Sequence, residues 1–564
     1  MSDQEPTLKG RVLARQAAMH AERSSWMSHW RDVAEYQLPR SGRFLMEAAN
    51  RGDKRHGKII DSTAVFSHRA LAAGMMSGMT SPARPWFRMA LDDKDLMEYG
   101  PVKEWLHRVV EKMRAVFAAS NTYSTLQQCY EELGAFGTWA GFVRPNFENV
   151  IHHHPMTIGE YALAADDEGK VNTLVRDVKM TVGQMVKRFG AENCSQAVRN
   201  LHARGSFDVW VDVIHFAGPR EEINPDKRDP KNMPVESIYI EPGGDRDVVL
   251  GESGFKRFPC LAPRWALLSS DIYGHSPGMV CLGDVKQLQH AQLRKAQAID
   301  YQVNPPLQIP VAYKDQASKR LPGGAMFVDA TAPGGGVRSA YEVNLRLDFL
   351  LEDIRDTRER IRSAYYADLF MLLASQPAGG RMTATEVAER HEEKLLMLGP
   401  VLERLHNELL SPLIDITFDR LQEARVLPPP PPELLDEGVD IKIEFVSTLA
   451  QAQRAVAAAG TDRLLGTMGT LMSMKPDVAD KVDLDQVIDE YAEMFGVPPR
   501  IIVDDDRVAA IREERAKQAA QAQAMEAAPA LADTAQKASN IDPQNMRDVM
   551  NMFQGYGSPS GAEL

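Results

Sequence analysis

This 564-residue chain has few cysteines, no long apolar run and no excess of positive charge. Its four cysteines, Cys129, Cys194, Cys260 and Cys281, lie far apart and form no Cys-x-x-Cys pair. This spacing excludes a disulfide framework, and we predict that the cysteines are reduced core residues. No run approaches the roughly eighteen apolar residues of a membrane-spanning helix, so no membrane association is expected. The first residues lack an apolar core with a cleavage site, so we expect synthesis in the cytoplasm without secretion.

The charge balance limits the ways in which this protein can interact with nucleic acid. The formal net charge is −13, from 78 acidic and 65 basic residues. Coating nucleic acid non-specifically needs a basic face, so the balance argues against such a protein. It does not exclude a protein that DNA passes through, because an acidic wall repels phosphate and prevents sticking.

The familiar motifs of enzymes are also missing. There is no Gly-x-x-x-x-Gly-Lys-Ser/Thr loop, so the chain is not a P-loop motor, and there is no Gly-x-Ser-x-Gly elbow. The glycine runs Gly334-Gly335-Gly336 and Gly379-Gly380 lack the order and context of a phosphate loop, and are interpreted as flexible turns. We therefore expect no catalytic residues, no cofactor and no enzymatic activity.

His152-His153-His154 is the only histidine cluster and the one candidate metal site. Adjacent residues of an extended run point to alternate faces, so at most two of these rings could share a metal. No cysteine or carboxylate lies nearby at ligand spacing. A metal-dependent enzyme that uses these residues is therefore an improbable alternative.

A long, bent, apolar helix preceded by a glycine-rich loop is the most informative segment. Thr383 and Glu386 form a capping box that fixes the start of the helix. The apolar face is made by leucines at spacings of three and four: Leu395, Leu398, Leu402, Leu405, Leu409 and Leu413. Pro400 and Pro412 each remove a backbone donor and should kink the helix. The small residues before it predict a mobile loop that includes Gln376, Pro377, Gly379, Gly380 and Arg381.

The remaining pattern indicates an α+β protein that is predominantly helical. Helical spacing dominates to about residue 137, as around Trp30, and Asp61-Ser-Thr63 is interpreted as the cap of a second helix. Short β-type runs follow between 143 and 249, with a hairpin signal at Asp166-Asp-Glu-Gly169 and a short capped helix expected from Thr181 to Phe189. The tryptophans are interpreted as core or subunit-contact residues. Polar helices at 284–301 and 341–366 bracket a small β-like unit. Turns in that unit fall at Pro322-Gly323-Gly324 and Gly334-Gly335-Gly336. The pattern is equally compatible with a stalk that bears a tip and with a helical hairpin inside one globule.

Several fragments, in this order along the chain, resemble the portal, or head-to-tail connecting, protein of short-tailed bacteriophages. The resemblance covers nearly the whole chain. In the first half it rests on Trp30, Tyr36-Gln-Leu-Pro39, Asp61-Ser-Thr63, Leu71-Ala-Ala-Gly74, Pro85-Trp-Phe87, Phe136-Gly-Thr138, Ile158-Gly-Glu-Tyr161 and Val182-Gly-Gln-Met-Val-Lys-Arg-Phe-Gly190. In the second half it rests on Pro263-Arg-Trp265, Tyr273-Gly274, Ser276-Pro-Gly278, Thr383-Ala-Thr-Glu-Val387 and Glu408-Leu-Leu-Ser-Pro-Leu413.

The resemblance implies a ring, typically a dodecamer, that forms the DNA channel at one vertex of the capsid. Such a ring serves genome packaging, head–tail joining and DNA ejection, with double-stranded DNA, the terminase motor, a tail adaptor, capsid and scaffolding proteins as partners. By similarity the chain divides into a wing at 1–283, a first stem helix at 284–303, a clip at 304–340, a second stem helix at 341–369, a tunnel loop at 370–382, a long kinked helix at 383–427, a wing and crown return at 428–500, and a crown helix with a disordered tail at 501–564. In a ring, Arg381 would become a closed belt of positive charge that acts only on DNA within about 8 Å, the Debye length at physiological salt. The resemblance also implies a virion protein that is made in the host bacterial cytoplasm. The rival is a non-portal helical scaffold or adaptor protein of the virion.

Overall fold

The computed structural model describes most of the first 446 residues and a few short pieces beyond them. The described residues are 7–44, 56–91, 93, 96–97, 99–224, 226–227, 229–244, 248–310, 325–328, 338–339, 347–374, 398–436, 441–446, 466–468, 486–488, 503 and 507–519.

The N-terminal part contains the helices α1 (Leu8–Tyr36), α2 (Thr63–Met79), α3 (Gly100–Ala119) and α4 (Thr122–Phe136). Helix α4 ends at Gly137, whose φ of 74° is left-handed. A Cβ at this position would collide with the carbonyl of Gly274, so both the turn and the close approach require glycine. This C-cap places the end of α4 against the segment around Gly274, which precedes the helices of the C-terminal half.

Among the described residues from 87 to 261, the chain forms nine strands. They are β1 (Phe87–Leu91), β2 (Ala140–Asn146), β3 (Val150–Met156), β4 (Tyr161–Ala165), β5 (Val171–Thr181), β6 (Trp210–Pro219), β7 (Val235–Ile240), β8 (Gly251–Phe255) and β9 (Cys260–Leu261). Strands β4 to β8 form an antiparallel five-stranded sheet in sequence order, and β3-β2-β9 form a three-stranded one.

The connections within the larger sheet follow the sequence signals. In the predicted hairpin, the Gly169 amide donates to the Asp166 carbonyl at 3.1 Å and the Lys170 amide to the Asp166 carboxylate at 2.8 Å, which confirms it. Helices α5 (Val182–Phe189) and α6 (Gln196–Ala203) are inserted between β5 and β6. The predicted cap of α5 is also confirmed, because Thr181 and Gln184 form a complete capping box.

The C-terminal half is mostly helical. It contains α7 (Pro277–Val280), α8 (Leu282–Val303), α9 (Leu347–Ala364), α10 (Ala367–Ala374), α11 (398–405), α12 (Ser411–Glu423) and α13 (Pro432–Asp436). A π-helical turn, His406–Leu410, joins α11 to α12. A small sheet of β10 (Leu307–Pro310), β11 (Ala325–Val328) and β12 (Arg338–Ser339) lies in the chain between α8 and α9.

Two strands that are far apart in the chain pair with each other. Strand β13 (Ile441–Phe445) pairs with β1 in an antiparallel register that sets Phe445 opposite Phe87 and Ile441 opposite Leu91. Arg88 and Glu444 add an ion pair at 2.6 Å across the same two strands. The main core lies behind this pair and is shared by residues of α2, α3, α4, α9, α11 and α12.

Aromatic and sulfur side chains lie in the core largely as the sequence predicted. Trp30, Trp86 and Trp139 are fully buried, whereas Trp210 at the start of β6 is 53% exposed. All four cysteines are free and buried, which confirms the expectation of reduced core thiols. No described helix is both long enough and apolar enough to cross a membrane.

Candidate functional site

Helices α8 and α9 form an antiparallel hairpin, since Asp284 near the start of α8 reaches Arg360 near the end of α9 at 3.5 Å. The small sheet β10–β12 occupies the excursion between them, as the sequence predicted for a helix, a β-like unit and a returning helix. We call residues 282–292 and 354–364 the hairpin base, and residues 293–303 and 347–353 its outer half. The two halves differ in what surrounds them.

One carboxylate, Asp61, joins the hairpin base to the N-terminal body. Its Oδ2 accepts hydrogen bonds from Arg358 Nη2 at 2.7 Å and from Gln292 Nε2 at 2.9 Å. Its Oδ1 accepts from the Thr63 amide at 2.8 Å and so caps helix α2. Gln289 of α8 adds backbone contacts, because its Oε1 accepts from the Asp61 amide at 2.7 Å. Asp61 thereby fixes α2, α8 and α9 to one point.

The electrostatics of this point favour the ionised carboxylate. Burial by itself would raise the pKa of the Asp61 carboxyl, but the hydrogen bonds from Thr63 and Arg358 outweigh burial and hold its pKa below the usual range. The Asp61 side chain is 5% exposed and its partner Arg358 is 40% exposed. A charge that is buried and fully hydrogen-bonded in this way is costly to remove on its own.

A second polar contact anchors the end of α9. Tyr365 donates a hydrogen bond to Gln37 Oε1, and Gln37 Nε2 donates to the Gly278 carbonyl at 2.8 Å. The following residue, Tyr366, has a φ of 53°, which is uncommon for a side chain of this size. This left-handed residue turns the chain from α9 into α10, and α10 packs so closely on α2 that Phe370 leaves no room for a Cβ at Gly74.

The outer half of the hairpin differs from the base in its exposure. Within 293–303 and 348–353, none of the residues is buried. Val303 is 78% exposed and Phe349 is 70% exposed, and Leu293, Ile299 and Leu351 are also exposed. Exposed apolar side chains gathered on one element indicate a surface that meets another protein.

The predicted bent helix contains a change of helical type at a buried ion pair. Glu408 lies in the π-turn, where its Oε1 accepts from Arg264 Nη2 at 2.6 Å and its Oε2 from the Arg264 amide at 2.9 Å. The Arg264 side chain is 3% exposed. Pro412 lies in the first turn of α12, directly after the π-turn. The π-turn is therefore fixed through Glu408 to Arg264, which follows strand β9.

The other predicted site residues are distributed as follows. Pro400 lies in α11 and is exposed, and whether it bends the helix stays a prediction. Two groups lie outside the described residues: the loop residues Gln376, Pro377, Gly379, Gly380 and Arg381, and the turn residues Pro322, Gly323, Gly324, Gly334, Gly335 and Gly336. The capping box at Thr383 and Glu386 also lies outside them.

The histidine run alternates between faces, as the sequence predicted for an extended segment. The rings of His152 and His154 lie 5.0 Å apart, while His153 points to the other side and meets Thr122 Oγ1 at 2.9 Å. Burial lowers the pKa of His153 to about 4 and, together with Arg144, that of His154 to about 3. No group of three or more metal-ligating side chains occurs in the part of the chain that the structure describes.

Comparison with known proteins decides the family. A family model described as bacteriophage head to tail connecting protein matches residues 9–503. The chain belongs to the head-to-tail connecting proteins of bacteriophages. This connecting protein is 54% identical over 555 residues to the "Probable portal protein" of Bordetella phage BPP-1, covering 98% of this chain and 100% of the relative. It is 45% identical over 549 residues to the "Portal protein" of Salmonella phage epsilon15, covering 97% and 98%.

The resemblance found in the sequence is thus confirmed for this connecting protein, as is its α+β class. Among solved structures it is similar to a chain of the virion of a native gene transfer agent particle, with 12% identity, 72% of this chain and 85% of that chain covered, and a TM-score of 0.33. A likeness of this size carries no further argument.

Sequence patterns did not predict the two polar anchors of this connecting protein, which are Asp61 and the pair of Arg264 with Glu408. Asp61 was predicted to cap a helix, and Arg264 and Glu408 were named only as members of the fragments that resemble portal proteins. Arg264 and Glu408 are 144 positions apart, and no local pattern predicts that such residues meet. Their signal was the presence of single charged residues inside otherwise apolar fragments.

Proposed function

We propose that this chain is the subunit of a portal ring at the head–tail junction of a virion, at one capsid vertex, through which double-stranded DNA is packaged and ejected. The observation that carries the proposal is the full-length similarity to the portal proteins of two phages, at 54% and 45% identity. The negative net charge of −13 is compatible with a channel that DNA crosses without adhering.

The finer division of the chain is part of the same proposal. The helices α8 and α9 act as the stem, residues 304–340 as the clip that meets the terminase motor and later the tail adaptor, and residues 1–283 with 428–500 as wing and crown. The pairing of β1 with β13 supports a return of the chain to the wing, and the exposed outer half of the hairpin supports a stem that is covered by neighbouring subunits. Residues 370–382 act as the tunnel loop, 383–427 as the kinked helix behind it, and 501–564 as a crown helix and tail.

A direct test of the ring is imaging of the purified protein by negative stain, together with its mass in solution. We expect rings with a central hole and a mass of about twelve subunits of 62.7 kDa each. A monomer, or a filament without a hole, at assembly concentrations would contradict the proposal and favour a scaffold or adaptor protein.

A test of the channel is the deletion of residues 376–381, the proposed tunnel loop. We expect rings of normal size and a loss of DNA packaging or retention, because the loop contacts DNA and not the neighbouring subunit. Failure of the deleted protein to form rings would instead make this segment an assembly element.

A further inference from the structure

Three arginines converge where the three-stranded sheet meets the five-stranded one. Arg144 lies on β2, Arg176 on β5 and Arg188 in the last turn of α5. The two sheets touch here, since the guanidinium carbon of Arg176 lies 4.8 Å from the ring centroid of Phe142 on β2. We call Arg144, Arg176 and Arg188 the arginine cluster.

The hydrogen-bond partners of the cluster are neutral. Arg176 Nε donates to His215 Nδ1 at 2.8 Å, and Arg176 Nη2 donates to Tyr239 Oη at 3.1 Å. Arg188 Nη2 donates to the same Tyr239 oxygen at 2.8 Å. Two guanidinium groups that share one phenol oxygen are close enough to repel each other, although Arg188 is exposed and Arg144 is half-buried, so solvent screens part of the repulsion.

No carboxylate offsets this repulsion within the described part of the chain, where none of the three arginines forms an ion pair. Yet Arg176 is only 7% exposed. Arg264 is buried to a similar degree, at 2%, and it is held by both oxygens of Glu408. Because a guanidinium keeps its proton, a buried one without an anion is expensive, and the contrast with Arg264 marks Arg176 as lacking a counter-charge among the described residues.

His154 provides a second observation at the same place. Its Nε2 is buried and has no hydrogen-bond partner, and its ring interacts electrostatically with all three arginines. His152 lies opposite Arg144 on the neighbouring strand. A buried polar atom without a partner is uncommon in a folded protein, and here it lies beside three positive charges.

We propose that the arginine cluster, with His154, is a binding site for a phosphate-class oxyanion. A single carboxylate carries one charge and two oxygens and would leave most of the cluster uncompensated. A phosphate group carries up to two charges and offers three or four acceptor oxygens, which suits three guanidinium forks and one imidazole. The ligand is either a free phosphate or a phosphate of a nucleic-acid backbone. This inference does not depend on the ring or on the proposed DNA channel.

The test is titration calorimetry of the full chain with inorganic phosphate, using chloride and acetate at matched ionic strength as comparisons. The cluster variant is Arg144→Gln with Arg188→Gln, which spares the buried Arg176. The control is Lys187→Gln with Arg204→Gln, which removes the same two charges from exposed positions outside the cluster. We expect phosphate binding to the wild-type chain and to the control. In the cluster variant it should be weaker by about a hundredfold, at about tenfold for each charge-assisted hydrogen bond lost.

Thermal unfolding without phosphate separates a binding role from a structural one. If the arginines are held for a ligand, the cluster variant unfolds at the same or a higher temperature than the wild-type chain, since repulsion is relieved. A lower unfolding temperature would make them structural and overturn the proposal. Equal heats for phosphate and chloride, or equal loss in the control, would also overturn it.

Competition identifies the source of the phosphate. Displacement of inorganic phosphate by a short DNA duplex points to a nucleic-acid backbone, and binding of phosphate that the duplex does not disturb points to a free anion. Acetate that binds as tightly as phosphate would overturn the assignment in favour of a carboxylate.

Discussion

The base and the outer half of the hairpin belong to the same two helices but are stabilised differently. In the base, Val285, Leu288 and Ile361 are fully buried, and Asp61 supplies polar contacts to both helices. In the outer half, Phe349 and Val303 face solvent in the single chain. The difference teaches that contacts within one chain fix where the hairpin starts but leave the described residues of its outer half without burial.

The largest expected effect on stability comes from breaking the ion pair between Arg264 and Glu408, which anchors the π-turn between α11 and α12. Glu408→Ala should lower the free energy of unfolding by about 3–5 kcal/mol, because Arg264 would remain buried without a counter-charge. The matched control is Glu423→Ala, on the same bent helix, whose pairs with Arg420 and Lys256 are more exposed. That control should cost under about 1 kcal/mol in a thermal or denaturant unfolding experiment. Similar losses in the two variants would mean that the π-turn is not specially anchored.

A smaller effect is expected at the base itself. Asp61→Asn keeps a possible acceptor for Thr63 but removes the charge that Arg358 contacts, which should cost about 1–3 kcal/mol near neutral pH. Asp32→Asn, which removes a more exposed pair with Lys286, is the control and should cost little.

The same variant has a defined pH dependence. The pKa of Asp61 is lowered in the folded chain, so the stability it contributes is present above its unfolded pKa and is lost as pH falls through the folded value. Asp61→Asn should therefore reduce the fall in unfolding temperature below about pH 4, the ordinary range of an aspartate. An unchanged acid limb would argue against Asp61 as the anchor.

Substitutions in the outer half of the hairpin should affect ring formation and leave the stability of the single chain nearly unchanged. Phe349→Ser with Val303→Ser should change the stability of the single chain by no more than about 0.5 kcal/mol, because both side chains are already exposed. The same change should reduce ring formation, measured as the mass in solution. Phe147→Ser, an exposed aromatic outside the hairpin, is the control and should leave the mass unchanged. Loss of fold in the double variant would show that the outer half is stabilised within one chain.

The smallest effect on stability is expected from Pro400→Ala. Pro400 is exposed in α11, so its removal empties no core and should leave the unfolding temperature nearly unchanged. Because alanine allows a straighter helix, we expect altered DNA packaging instead. Loss of soluble protein would contradict this assignment.

Local signals explain what the sequence could predict. The hairpin turn at Asp166, the cap at Thr181 and the helical spacing around Trp30 depend on neighbours within a few residues, and each was predicted correctly. The meeting of Arg264 with Glu408 and of Asp61 with Arg358 depends on distant parts of the chain, for which periodicity carries no information. The π-turn was missed for a related reason, since Pro412 indicates a break but not the type of turn that precedes it.

The pairing of β1 with β13 has a consequence for how the chain is made. Arg88 and Glu444 are 356 positions apart, so the strand that pairs with β1 is made only after most of the chain has left the ribosome. At about 5–20 residues per second, this delay is roughly 20–70 s. During that time Phe87, Met89 and Leu91 belong to an open strand edge that can pair with another copy. Correct synthesis therefore favours slow accumulation or a chaperone that shields this edge until β13 arrives.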